Sequence, residues 1–223
     1  MEGRGGKWPG AVYRGIEARG GGSPRSVPWA ALAAGGACVV LHVWARLPSS
    51  APAADIVAWR SLGRDAVGGP AFWRLAAVAG FLHANAVHLV ANVALLLTFG
   101  ALVERRVGHA RLLALVIVVG SVSSAFELLI TGHGKIGASG VVFALGCFLM
   151  ARRREEPRLA PALATTIVVG LGVWFAVGAS ATYMGHVAYG NVAHGTGAVA
   201  GWLVGRLYTR RRRANITPTG GTA

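Results

Sequence analysis

Two cysteines and eight acidic residues are all this 223-residue chain holds of either kind, and each shortage excludes something. Cys38 and Cys147 each lie within an apolar run, so they read as free buried thiols and imply neither a disulfide framework nor a metal site. Acids are scarce enough that any reactive histidine has few carboxylates to lean on. Charged residues of both signs make up only 13% of the chain, against 54% hydrophobic residues and 33 glycines. This excludes an ordinary soluble domain and indicates a polytopic membrane protein. The formal net charge of +14 would suit nucleic acid, but the basic residues sit between apolar runs rather than on one face, so no nucleic-acid partner is expected. A cleavable signal-peptide pattern is missing too: residues 1–27 are expected to form a basic, disordered tail.

A hydrocarbon core roughly 30 Å thick needs about 20 helical residues. Runs of that character place spans near 28–45, 85–103, 110–131, 139–151, 160–178 and 192–209. The fourth is bracketed by Gly137 and by Arg152, Arg153 and Arg154, and at 1.5 Å per residue it covers only about 20 Å. Anchored by arginines at one surface, it must begin below the other, which places Ser139 inside the membrane in a hollow open to water. Of the 22 Lys and Arg residues, 17 fall in the N-terminal tail, 104–111, 152–158 and the C-terminal end from Arg206. Both termini are therefore expected in the cytoplasm, with Ser139, His194, His83 and His88 toward the exterior. The domain reading is a tail over 1–27, a membrane domain over 28–209 and a basic cytoplasmic tail over 210–223.

Ser139 stands in Gly137-Ala138-Ser139-Gly140 at the start of an apolar run. Gly-x-Ser-Gly in an apolar helix often marks only a packing surface, and no βα alternation supports an α/β-hydrolase elbow. A helix start, however, offers free N–H groups and the positive dipole end to an oxyanion forming beside Ser139. His194 lies on the stripe of Gly197, Gly201 and Gly205, which repeats every four residues and lets another helix backbone approach closely. If that stripe packs on the fourth span, the imidazole meets Ser139 at matching depth, and Phe143, one turn below Ser139, can brace the ring. Gly137 is grouped with Gly197 and Gly201 as a packing glycine. His88 and Asn92 share a helical face. His83 is about 140° away from His88 on an ideal helix and falls before it. No carboxylate or cysteine completes a metal-ligand spacing with these histidines; donors to a tetrahedral intermediate fit better. Glu127 lies at outer depth, but nothing in the spacing ties it to His194, so packing or loop anchoring is expected and a Ser–His dyad is read rather than a triad.

Together, Trp73-Arg74, His83/His88/Asn92, Glu104-x-Arg106-x-Gly108, Gly137-x-Ser139-Gly140 and Ala193-His194-x-x-Gly197-x-x-x-Gly201 resemble the rhomboid family of intramembrane serine proteases, over about residues 70 to 209. The resemblance implies an all-α membrane protein, a six-transmembrane-helix bundle around a short central fourth helix, with a half-submerged first loop and a mobile fifth helix or its outer loop. It makes Ser139 the nucleophile and His194 the base and acid. His88, Asn92 and the Ser139 N–H become the oxyanion site, and His83 lines the water-filled cavity. Phe143 departs from the family, where a tyrosine is well known.

The resulting expectation is a serine endopeptidase without cofactor or metal, multi-pass in a bacterial cell membrane. It would meet membrane lipids and cut single-span transmembrane substrates near the outer face. The rivals are a non-proteolytic scaffold of the same fold that binds transmembrane helices, and a small transporter with proton-carrying histidines. The latter is disfavoured because the sequence lacks an inverted repeat.

Overall fold

The computed structural model describes residues 27–69, 71–153, 161–184 and 190–214. The expectations for residues 1–26, for the chain beyond Ala214, for the basic loop beyond Arg153 and for residues 185–189 of the outer loop lie outside the described residues; residues 210–214, read as part of the C-terminal tail, continue the last helix.

Within them the chain is all-helical. It runs through α1 (Trp29–Trp44), α2 (Ala51–Ser61), a 3-10 turn (Arg64–Ala66), α3 (Phe72–Ala79), α4 (Ala86–Val107), α5 (His109–Thr131), α6 (Ser139–Ala151), α7 (Pro161–Tyr183) and α8 (Asn191–Ala214). Three helices are long and apolar enough to cross a membrane: α4, α5 and the Ala164–Tyr183 part of α7. Helices α1 and α6 are apolar but shorter, and α8 carries Arg206 and Arg210 to Arg213 in its second half. Each of the six segments read from the sequence as a span is helical; among the described residues, three of these helices meet the length and apolarity expected of a full crossing.

Helix α6 sits in the middle. Ten of its 13 residues are buried, and it packs against α4, α5, α7 and α8. A helix apolar on every side is stable only when covered on every side, and Val141, Val142, Leu145, Phe148 and Leu149 all lie in the main core. The surrounding helices turn their outer apolar residues outward: Val39, Val40 and Val43 on α1, Ile117, Val118 and Ile130 on α5, and Val168, Val169 and Val173 on α7 are exposed, as lipid contact requires.

Helix α8 approaches α6 more closely than any side chain would permit. A Cβ built on Gly197 would lie inside van der Waals contact of the Gly140 carbonyl, one on Gly201 inside contact of the Ala144 carbonyl, and one on Gly205 2.9 Å from the Phe148 carbonyl oxygen. The partners 140, 144 and 148 advance by four residues, as the glycines do. Matched rows at i and i+4 bring backbone onto backbone, the packing that small residues permit between helices in lipid.

The stretch between α1 and α4, read as a loop, contains two helices. Ser50 caps α2 by accepting from the Ala53 N–H at 3.3 Å, with Pro52 in its first turn. Trp59, Phe72, Leu75, Ala76 and Ala79 form a second core with Ala125 and Leu128 of α5. Arg74 pairs with Asp55 at 2.7 Å, tying α3 to α2; exposed as it is, the pair contributes at most about 1 kcal/mol. Trp59 Nε1 donates to the Lys135 carbonyl at 2.9 Å and Arg64 to the Ile130 carbonyl at 2.7 Å. The segment thereby holds the loop that leads into α6.

Replacing Gly201 with Val should force α6 and α8 apart. Overpacking of this kind costs about 1–3 kcal/mol or more, to be read as a lower thermal unfolding midpoint in detergent. A midpoint equal to that of the wild type would show that the contact is not as tight as its backbone geometry implies.

Candidate active site

The turn before α6 decides where Ser139 points. Gly137 has φ +135°, a conformation that L side chains rarely adopt, and its N–H donates to the Ala79 carbonyl at 2.9 Å. A Cβ at Gly137 would lie 2.6 Å from His88 Cε1. The sequence reading groups Gly137 with the packing glycines. It belongs elsewhere, because it precedes α6 and supplies a backbone conformation together with room for the His88 ring. Ser139 then occupies the first position of α6, where the leading N–H groups have no intrahelical acceptor; the first backbone bond of the helix runs from Val142 to the Ala138 carbonyl.

His194, in the first turn of α8, meets it. The His194 Nε2 to Ser139 Oγ distance is 2.8 Å, with Ser139 8% and His194 3% exposed. The Phe143 ring is stacked on the imidazole at 4.6 Å between centroids with 8° between planes. Trp174 of α7 stands edge-on to the same imidazole at 6.4 Å. When Nε2 accepts the serine proton, Nδ1 must carry its own, and Nδ1 is buried with no acceptor among the described residues. Ring stacking, not a carboxylate on Nδ1, fixes the orientation of this imidazole.

A cavity of about 900 Å³ opens on the pair, walled by His88, Gly137, Glu127, Trp174 and the two residues themselves, with Arg60, His133 and Lys135 also on its lining. His88 is half-buried, and its backbone N–H is capped by the Asn85 side chain at 2.8 Å. Asn92 lies one turn deeper and is fully buried. Its Nδ2 donates to the His88 carbonyl at 2.9 Å, while its Oδ1 has no donor among the described residues. Asn92 is not part of the cavity wall.

His83 is not part of it either, although the sequence reading puts it there. Its ring lies behind the wall, 3% exposed, with Nε2 3.4 Å from the Ala138 N–H and Nδ1 3.0 Å from the Phe81 carbonyl. One tautomer, with the proton on Nδ1, satisfies both contacts. Its edge faces the His88 ring at 5.1 Å. His83 therefore braces the turn ahead of Ser139 by a hydrogen bond to its backbone. Its position before α4 is legible in the spacing; its partner is not.

Two features of the site carry no motif. Trp174 sits in an apolar span whose periodicity singles out no residue, and the contact of Glu127 with α8 depends on a helix more than sixty positions away. Among the described residues no group of three or more His, Cys, Asp or Glu side chains could hold a metal ion.

This short buried helix carrying a serine, met by a histidine from a glycine-striped neighbour, defines a class. Residues 70–211 match the family model of the Rhomboid domain, and the chain belongs to the rhomboid family. Among similar proteins, Rhomboid protease GlpG of Haemophilus influenzae is 26% identical over 138 residues, covering 60% of this chain and 69% of that protein. Rhomboid protease GlpG homolog of Cronobacter sakazakii is 30% identical over 139 residues, covering 59% and 48%. Rhomboid protease GlpG of Serratia proteamaculans is 30% identical over 162 residues, covering 72% and 56%. The chain thus spans about half the length of the latter two relatives and somewhat over two thirds of the first. Family and apolar helices together make it an integral membrane protein.

Gly137→Ala should destabilise the protein by about 1–3 kcal/mol, the usual cost of a residue held in a sparsely populated backbone region. The check is its thermal midpoint beside that of Gly36→Ala, a helical glycine whose Cβ would meet nothing within 4 Å. Equal midpoints would show that the turn can relax without cost.

Proposed function

We propose that this protein is an intramembrane serine endopeptidase that cuts transmembrane segments of single-span membrane proteins near the outer membrane face. In this reading it is a six-span bundle with both termini in the cytoplasm of a bacterial cell, over a membrane domain of residues 28–209. The observation that carries it is the 2.8 Å contact between His194 Nε2 and Ser139 Oγ at a cavity of about 900 Å³, with the imidazole held by Phe143. The relatives' names, each a rhomboid protease, point the same way.

The chemistry is acyl transfer. Ser139 Oγ attacks the scissile carbonyl carbon while His194 Nε2 takes its proton. The tetrahedral intermediate collapses as that proton passes to the leaving amine, giving an acyl-enzyme. A water molecule, deprotonated by the same nitrogen, releases the new carboxyl end and restores Ser139. The oxyanion is met by N–H groups at the start of α6 and by the ring of His88. Asn92 holds the His88 carbonyl from behind the cavity wall and keeps one amide N–H unused, which joins the oxyanion site once bound substrate displaces that wall. A regular helix hides its carbonyls in hydrogen bonds, so a substrate must unwind at the cut. Helix-breaking residues near the cut are expected for that reason, and small residues beside it by the family resemblance.

Steady-state cleavage of a transmembrane reporter in proteoliposomes tests this. Ser139→Ala and His194→Ala should each abolish turnover; a Ser139→Ala variant that still cuts would assign the chemistry elsewhere, and wild-type protein that does not cut would leave the fold as a scaffold. His88→Ala and Asn92→Ala should lower kcat by about 10²–10³ with KM little changed, as expected for donors realised in the transition state. A variant that changes only KM would move its residue to substrate docking.

Phe143→Leu removes the ring and keeps an apolar side chain. An aromatic stack contributes about 0.5–1.5 kcal/mol beyond its buried area, so kcat should fall roughly three- to tenfold. Phe143→Tyr should retain it. Loss of activity in both would mean that space, rather than stacking, is what the position supplies.

A further inference from the structure

Glu127 is fully buried, in the last turns of α5 and on the wall of the cavity, yet it touches neither member of the dyad. Its Oε2 accepts the backbone N–H of Ala193 at 2.9 Å. Ala193 is the residue immediately before His194, in the first turn of α8.

Among the described residues, no side chain of that turn caps its own N–H groups. The residue ahead of it is Gly190, which has no side chain to cap with, and the Asn191 amide donates across to Thr182 Oγ1 of α7 at 3.0 Å. The first N–H groups of any helix lack intrahelical partners, and a carboxylate suits both these donors and the positive end of the dipole. The same device recurs at α1, where Pro28 provides no side-chain cap and Glu104 Oε1 and Oε2 accept from the Ala30 and Ala31 N–H groups at 2.8 Å each. Two of the eight acids of the chain thus serve as caps for helices other than their own. The difference lies in what the capped turn carries. The first turn of α1 carries nothing reactive, and that of α8 carries His194.

His194 also lacks the support from which a triad histidine takes its orientation, since no group among the described residues accepts from Nδ1. Its ring plane is set by Phe143, but where that ring stands along and around α8 depends on the backbone. We propose that Glu127 is a positioning residue for the dyad: by capping α8 in trans it fixes the first turn of that helix and so the reach of His194 Nε2 to Ser139. This rests on the reading of Ser139 and His194 as a catalytic pair.

The test compares Glu127→Gln, which keeps a carbonyl acceptor of the same reach, with Glu127→Met and Glu127→Ala, which offer none. Full-length protein in lipid nanodiscs would be measured for cleavage of a transmembrane reporter and for hydrogen exchange over residues 190–194. The Met and Ala variants should lose about tenfold or more in kcat, keep KM within about twofold, and exchange faster over 190–194. The Gln variant should stay within about threefold of wild type in kcat and keep its protection. The proposal is overturned if an apolar variant retains wild-type kcat, if Gln falls as far as Met, or if exchange over 190–194 is unchanged. It is overturned also if both apolar variants fail to fold while Gln folds, because the residue is then structural only. Wild-type protein that leaves the reporter intact would sink the protease reading, whereas the exchange comparison judges the cap without any turnover.

Discussion

Everything reactive in this molecule depends on how closely two helices can lie. Apolar side chains gain nothing by leaving lipid for one another, so helices in a bilayer associate through close packing and polar contacts. Gly197, Gly201 and Gly205 put the backbone of α8 on the carbonyls of Gly140, Ala144 and Phe148 of α6. Only at that separation does an imidazole from the first turn of α8 reach a hydroxyl at the first position of α6. The small residues are therefore part of the site, although none of them touches the cavity's chemistry.

The second constraint is that polar groups in a dry interior must find partners. The chain meets it by lending side chains between segments. Glu104 serves the start of α1, Glu127 serves the start of α8, Arg64 takes a carbonyl near the end of α5, and the Trp59 indole takes the Lys135 carbonyl. Hydroxyls within helices bond back to their own turns, as Ser123 does to Val119 at 2.6 Å. Several of these loans converge on the loop between α5 and α6. Trp59 grips it at Lys135, and His83 with the Ala79 carbonyl holds residues 137 and 138. The turn that aims Ser139 is thus fixed from outside its own helix.

Local signals were legible in the sequence, and contacts between distant segments were not. The bounds of α6 follow from Gly137 and the arginine run, and α6 begins at Ser139 as that bracket requires. The glycine stripe is readable because its period of four belongs to one helix. Helix α4 runs on to Val107, beyond the expected end near 103, because Glu104 reads as a surface charge when it is in fact buried against α1. Helices α2 and α3 lie within a stretch read as a loop; their apolar residues find cover only in each other and in Ala125 and Leu128. The place of His83 behind the cavity wall and the contact of Glu127 with Ala193 depend on tertiary neighbours. A sequence can nominate such residues by type, but it cannot name their partners.

The central claim is that the close approach of α6 and α8 makes Ser139 a nucleophile activated by His194. Covalent labelling of the purified protein with a fluorophosphonate, mapped by peptide mass spectrometry, tests it most directly. The account predicts modification at Ser139 in the wild type and none in a folded His194→Ala variant. Labelling of Ser139 that proceeds equally well without His194, or labelling at another serine, would contradict it.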